Sequence, residues 1–591
     1  MSHRRLSQIV LTLLACAAAL AATAGELERE KTVYQPMGAP ADPKVAVRWN
    51  MYHDYAQATD LLHAMAQAHP ARARLRSLGK SYGGREMWVL TVTNFATGDD
   101  RDKPAFWAQG AIHANEIQAT EAVLYSAWYL LEMYGRNEHL TRLVDERTFY
   151  FLPMMSPDSR DDHMYEPNST SSPRSGQRPF DDDNDGLVDE DPADDLDGDG
   201  HITQMRIRDP NGRHKPHPDY PHLMIDAEPD QPGEYRLLGA EGFDNDGDGR
   251  VNEDGDGYYD PNRDWPWNWQ PNYVQRGAGK YPLSIGENRL AAEFVLDHPN
   301  IAAAQSFHNA GGMLLRGPGT VADSYDAADI AVYDTIGRRG ETILPGYRYL
   351  VTYKDLYSVH GGEKDFFHQM RGIFVFVNEM FTSTEYFGQS GDGGYFGKPL
   401  ELEKFNRYLL FDEGMVPWHE VEHPQYGKVE VGGWKKQWTR QPPSFLLEES
   451  LHRNMAFIFY HADQMPRVEV QGATVKPLPG GLLEVTAVVA NTRLAPTHSA
   501  VDVKRRITPP DRVKIEGRGV KVIAGLWSRD RLLTAATDQK HQPGELRIPN
   551  IPGMSAVYVR WLVQGKGPYT ITVRSEKGGT ASFTARRKET L

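Results

Sequence analysis

Two residues of metal-binding type, His113 and Glu116, follow the apolar run Ala105-Phe106-Trp107-Ala108 and the strand-ending Gly110. An imidazole and a carboxylate are two of the three protein ligands of a catalytic zinc site, which keeps its fourth position for water. Two further apolar runs end on the same kind of residue. The run 301–307 stops at His308, and the run 372–378 stops at Glu379. Strand ends turned toward one point make His113, Glu116 and His308 the ligands of one zinc ion. Glu379 is then a free carboxylate beside the metal-activated water, placed to take its proton.

The elements that hold these strand ends can be read from hydrophobic periodicity. Tyr52, Tyr55, Ala56, Leu61, Leu62 and Met65 have helical spacing, and so does the apolar segment from Ile117 to about Tyr134. Trp88-Val89-Leu90-Thr91-Val92-Thr93 alternates like a strand, and Thr148-Phe149-Tyr150-Phe151-Leu152 is a second apolar one. Helices are expected over 287–297, 327–339 and 448–463. Strands alternating with helices predict an α/β fold, a mixed sheet with helices on both faces and its chemistry at strand ends. This domain is expected to span 50–463. From about Arg467 the chain alternates without helical period, as in Leu483-Glu484-Val485-Thr486-Ala487-Val488-Val489, so 464–591 is expected to be an all-β, sandwich-like accessory domain.

Residues 159–280 break the pattern, being poor in aliphatic residues and rich in Asp, Gly, Asn and Pro. They contain an internal repeat, D-x-D-x-D-G-x-V-[DN]-E-D, at 181–191 and at 244–254, with a third fragment starting at Asp195. Carboxylates at alternate positions before a glycine turn are how a loop wraps oxygen ligands around calcium. Asp181, Asp183, Asp185, Asp244, Asp246 and Asp248 are the expected calcium ligands. The twelfth-position glutamate of an EF-hand is missing, so these are not EF-hands, and the bland alternative is a solvated acidic loop.

At 591 residues the chain is too long for one ordinary core. Its formal charge of −15 argues against nucleic acid as a partner, since phosphate recognition needs a basic surface. Arg4 and Arg5, an apolar stretch over 9–22 and the small residues Ala22-Thr23-Ala24 read as a signal peptide over 1–24, followed by a polar leader over 25–49. The chain is therefore expected to be exported, to the periplasm or beyond, with no transmembrane segment once mature. The single cysteine, Cys16, lies in that segment. Thiol catalysis and disulfides are thus not expected in the mature chain, and Leu13-Leu14-Ala15-Cys16 is a degenerate match to a lipid-anchoring box.

The motifs Gly110-x-x-His113-Ala114-x-Glu116, Ser306-Phe307-His308-Asn309 and Val375-x-x-Asn378-Glu379-Met380 together resemble the M14 zinc metallocarboxypeptidases, over roughly residues 50–462. The resemblance implies a peptide substrate with a free C-terminal carboxylate, held by Asn262 and Arg263 of Pro261-Asn262-Arg263-Asp264-Trp265. A guanidinium fork matches a carboxylate bidentately. It implies further that Tyr357 closes over the substrate and that Lys364, seven residues on, occupies the specificity position, where a cation favours an acidic terminal side chain. For the arginine that stabilises the oxyanion, the resemblance points into the acidic insertion. Arg206 is the expected residue, with Arg208 and Arg213 as competitors. The alternatives are a zinc amidase or peptidase acting on peptidoglycan stem peptides and an inactive, peptidase-like binding protein.

Overall fold

The apolar runs lie side by side in one eight-stranded sheet, in the order Ala73–Lys80, Glu86–Val92, Thr148–Leu152, Ala105–Gly110, Ile301–Asn309, Phe374–Met380, Met313–Arg316 and Arg348–Val351. The computed structural model describes residues 37–181, 186–247, 249–252, 259–381 and 399–586. The four central strands, from Thr148–Leu152 to Phe374–Met380, run parallel to one another. Antiparallel pairs on either side make the sheet mixed. Strands covered on both faces need apolar residues at successive positions, and Ala105–Gly110 and Ile301–Asn309 are buried at every one. Phe106 packs with the helices Tyr55–Ala68, Gln118–Met133 and Ser444–Asp463 on one face. Its neighbour Trp107 packs with helix Gly286–Asp297 on the other. Because the central strands are parallel, their C-terminal ends share one rim, where open α/β sheets place their ligands.

The domain begins earlier than the expected leader boundary at 49. The Val45 N–H donates to Glu132 Oε1 (3.1 Å), and its carbonyl accepts from Trp128 Nε1 (2.8 Å). Trp49 is buried against Tyr125 and Trp128. Neither anchor lies in a helix or strand, so no period marks them in the sequence. The signal segment and Cys16 lie outside the described residues. No helix among the described residues is long and apolar enough to cross a membrane.

The Asp-rich insertion is more than loop. Gln204–Arg208, His214–Pro216, Met224–Asp226 and Tyr235–Ala240 join the hairpin Met415–His423/Gly427–Trp434 in a six-stranded antiparallel sheet. Its buried core is small, built on Met205, Val429 and Val431, and so leaves almost no alternation to read in the sequence.

Toward the C-terminus, a five-stranded and a four-stranded antiparallel sheet face each other across Val485, Val489, Val513, Trp561 and Ile571. This sandwich also holds a helix, Ala500–Arg505, too short to show a period. Asp329 of the first domain accepts from the Ala500 and Val501 N–H groups (2.7 and 3.2 Å), capping that helix across the domain boundary.

Candidate metal centre and substrate cleft

Local backbone chemistry explains why the first motif starts with glycine. A Cβ at Gly110 would meet the Ala119 carbonyl oxygen at 2.5 Å, so only glycine lets the strand end pass beneath the helix Gln118–Met133. His113 and Glu116 occupy the turn between the two, closed by Glu116 N–H to His113 O (3.3 Å) and Ala119 N–H to Glu116 O (3.0 Å). His308 and Glu379 are register partners on adjacent parallel strands, so their side chains leave the sheet side by side.

The three expected ligands converge. One ligand atom from each of His113, Glu116 and His308 lies within 4.8 Å of the others, and all three residues are buried. His113 Nδ1 is 3.1 Å from His308 Nδ1 and 3.0 Å from Glu116 Oε1. Glu116 Oε2 is 2.9 Å from His308 Nδ1, yet it is a buried oxygen without a hydrogen bond. Two imidazole nitrogens facing each other beside an unsatisfied carboxylate oxygen are a set of lone pairs that needs a cation between them. These residues therefore fit a zinc ion. Burial alone would push Glu116 up, but the positive charge that the two imidazoles carry when protonated outweighs it and holds its carboxyl well below the usual range.

Each imidazole has its outer nitrogen, Nε2, on a carboxylate, half-buried Asp260 for His113 and buried Glu363 for His308. His113 Nε2 lies 3.1 Å from Asp260 Oδ1, and His308 Nε2 lies 2.9 Å from Glu363 Oε1. Asp260 also faces Arg174 (3.5 Å) and Arg263 (3.8 Å). Burial raises its pKa, but the Arg263 charge, His113 and Arg174 bring it well below the ordinary value. Glu379 behaves oppositely. Burial pushes its pKa up and the Glu116 charge adds to this, against the lowering pull of His308, His113 and Arg174.

Arg174 is the arginine beside the cluster, with Nη1 at 3.0 Å from Glu116 Oε1 and Glu379 and Tyr357 within electrostatic reach. Arg440 stands behind it, donating to the Asn309 carbonyl (2.8 Å) with Glu116 at 3.6 Å. Arg206 is elsewhere, which corrects its expected place at the metal. It lies on a strand of the insertion sheet, paired with Glu430 (2.5 and 2.8 Å) and packed against Tyr235 and Trp418. Nothing in the Ser172-Pro173-Arg174 loop has a period that could have marked it, and Arg440 follows no motif either. Asp260 could have been found, standing two residues before Asn262.

Asn262 and Arg263 are buried next to Asp260, which caps their short turn by accepting from the Asn262 N–H (2.8 Å). The turn packs tightly on the Gly361-Gly362 segment. A Cβ at Gly361, whose φ is +63°, would meet the Arg263 carbonyl oxygen at 2.5 Å. Asn262 Oδ1 accepts from the Glu363 N–H (2.9 Å). Lys364 is buried without a hydrogen bond or ion pair among the described residues, its Nζ facing the Gly362 side of Asn262. Burial lowers its pKa, and Asp365 only partly offsets this. Tyr357 is 55% exposed and within electrostatic reach of Arg174. A cavity of about 680 Å³ opens here, lined by Arg174, Asp260 and Arg263 with Ile202, Val251 and Asn252 from the insertion.

Of the expected calcium ligands, Asp183, Asp185 and Asp248 lie outside the described residues. Asp181 accepts from the Gly186 N–H (3.2 Å), and Asp244 from Gly247 and Gly249 (2.6 and 3.1 Å). Asp246 lies in the same turn. The carboxylates brought together are those of the third fragment, Asp195, Asp197 and Asp199, whose oxygens accept from their own loop N–H groups. The two full repeats are tied to each other, Asp191 of the first accepting from Asn245 (2.8 Å) and Asn252 (2.9 Å) of the second.

Comparison with known proteins gives two family matches. Residues 58–161 match the peptidase M14 zinc carboxypeptidase family, a span that includes His113 and Glu116, and residues 467–586 match a domain of unknown function. A carboxypeptidase D from Drosophila melanogaster is 35% identical over 109 residues, 18% of this chain and 8% of that protein. A zinc carboxypeptidase from Saccharothrix mutabilis subsp. capreolus is 29% identical over 122 residues, 20% of this chain and 28% of that protein. The chain thus spans under a third of the length of either relative. Among solved structures, the carboxypeptidase A from Helicoverpa armigera aligns over 78% of this chain and 80% of its own, at 14% identity and a TM-score of 0.44.

Proposed function

We propose, for a chain that carries a peptidase M14 zinc carboxypeptidase domain, that the protein is an exported metallocarboxypeptidase removing C-terminal residues from peptides, with a preference for acidic ones. The observation that carries this reading is the convergence of His113 Nδ1, His308 Nδ1 and the unsatisfied Glu116 oxygen, with Glu379 on the adjoining strand. Zinc at this cluster supplies a water of lowered pKa and a Lewis acid for the scissile carbonyl.

The remaining steps belong to side chains. Glu379, half-buried and pushed up in pKa, is suited to accept the water's proton and return it to the leaving amine. Arg174 can stabilise the oxyanion that develops on the carbonyl, as a fixed positive charge in a partly desolvated cleft. Arg263 and Asn262 bind the terminal carboxylate and so fix which bond is presented. Tyr357, more than half exposed, closes over the bound residue. Lys364 is a largely buried side chain with no hydrogen bond or ion pair among the described residues, and an acidic side chain of the substrate would give its ammonium a partner.

The test is a peptide library varied at its C-terminal residue, with and without a zinc chelator. Expected are release of single C-terminal residues, Glu and Asp fastest, loss of activity on chelation, and a switch to apolar residues in Lys364→Leu. Cleavage that ignores a C-terminal amide cap would contradict the reading. Export is tested by fractionating cells that express the full chain.

A further inference from the structure

Glu363 is fully buried, and its carboxylate touches two residues whose orientations are both fixed. His308 Nε2 is 2.9 Å from Oε1, and the Gln109 side-chain amide donates to Oε2. The direction of this network follows from one group. The Trp107 indole N–H can only donate, and it donates to Gln109 Oε1 (2.6 Å). The Gln109 oxygen is thereby committed, so its NH2 must face Glu363. An ionised carboxylate only accepts, so the proton between Glu363 and His308 belongs on His308 Nε2. A neutral imidazole carries one N–H, and Nδ1 is then left as a lone pair aimed at His113 and Glu116.

We propose that Glu363 is a positioning residue for the metal centre. Through the chain Trp107–Gln109–Glu363 it locks His308 in the tautomer whose Nδ1 can hold zinc. Outer-sphere carboxylates of this kind orient a ligating imidazole and raise its basicity. The same residue reaches the substrate side through its backbone. Its N–H donates to Asn262 Oδ1, which leaves the Asn262 amide NH2 to face the substrate carboxylate. One residue thus ties a metal ligand and a carboxylate-binding side chain together, the first by its side chain and the second by its main chain.

The inference rests on the zinc reading above, and its test separates the two. In Glu363→Gln one oxygen must serve two donors. Either two NH2 groups oppose each other, or His308 turns over its tautomer and puts a proton on Nδ1. Zinc affinity, measured by chelator competition, is expected to fall 10- to 100-fold, while the KM of the zinc-saturated variant stays within about twofold because the backbone contact to Asn262 is kept. Gln109→Met, which removes the tether but keeps the carboxylate, should fall by a smaller factor, about 3- to 10-fold, and serves if Glu363→Gln does not fold. Wild type that binds zinc with affinity unchanged in both variants overturns the role of Glu363 and leaves the peptidase reading standing. Wild type that binds no zinc overturns both.

Discussion

His113 and His498 are both buried imidazoles surrounded by carboxylates, one at the rim of the central sheet and one where the β-sandwich meets the first domain. Their surroundings differ in a single respect. His498 has Asp511 on Nε2 (3.1 Å) and Thr508 on Nδ1 (2.9 Å), while Asp502 takes the Lys577 ammonium (2.8 Å) and the Thr508 N–H (2.9 Å). Lys577 also donates to the Arg371 and Gly372 carbonyls across the domain boundary. Every donor there meets an acceptor. At the rim, two ring nitrogens face each other at 3.1 Å and the Glu116 oxygen has no hydrogen bond. Burying an unsatisfied polar group is costly, so a cluster kept in that condition is built for something that arrives later. Histidine and carboxylate content alone does not separate a metal site from structural glue; how completely they satisfy one another does.

The largest expected effects come from exchanging the two kinds of damage. Lys577→Met removes the cation that Asp502 needs and should destabilise the protein by about 3–5 kcal/mol, the usual cost of leaving a buried charge unpaired. Zinc affinity should not change. His113→Ala should do the reverse, abolishing stoichiometric zinc while the apo protein melts close to apo wild type, because Asp260 keeps Arg174 and Arg263. Calorimetry with metal analysis on the two variants checks both, and a Lys577→Met protein that loses zinc would erase the distinction between the clusters.

The sequence carried the first cluster well and the second not at all. His113, His308 and Glu379 each follow an apolar run that must be a buried strand, so their types and positions suffice to place them on one rim. Arg174 comes from an irregular loop, where no periodicity exists to mark a residue. Arg206 was drawn to the wrong place because the sheet that holds it buries only a few apolar side chains, and its ion pair with Glu430 joins residues more than two hundred positions apart. The same holds for His498 and Asp502, whose partner Lys577 lies in a distant turn. The anchors Val45 and Trp49 were hidden for a different reason, lying in the short stretch Val45-Ala46-Val47-Arg48-Trp49, which forms no helix or strand and so shows no period.

A smaller effect sharpens the comparison through pH. His498 is pushed up to about 9: burial alone would lower it, but Asp502 and Asp511 more than compensate. Its folded pKa lies above the unfolded value of about 6.5, so the folded state binds the extra proton between these values. The stabilisation is complete below pH 6.5 and is lost as pH rises toward 9, by on the order of 3 kcal/mol at most. Asp502, held below its ordinary value mainly by Lys577 against the effect of burial, contributes above about pH 4 and loses that contribution in acid. Melting curves of wild type and His498→Gln between pH 6 and 9.5 should converge as pH rises, and parallel curves would remove His498 from the account.

The central claim is that Glu379 moves the proton at a metal centre held by His113, Glu116 and His308. The direct measurement is zinc content and peptide turnover of wild type and Glu379→Gln, purified side by side. One zinc per chain is expected in both, with a kcat lower by about 10²–10⁴ in the variant. Equal turnover in the two proteins, or a wild type that holds no zinc, would contradict it.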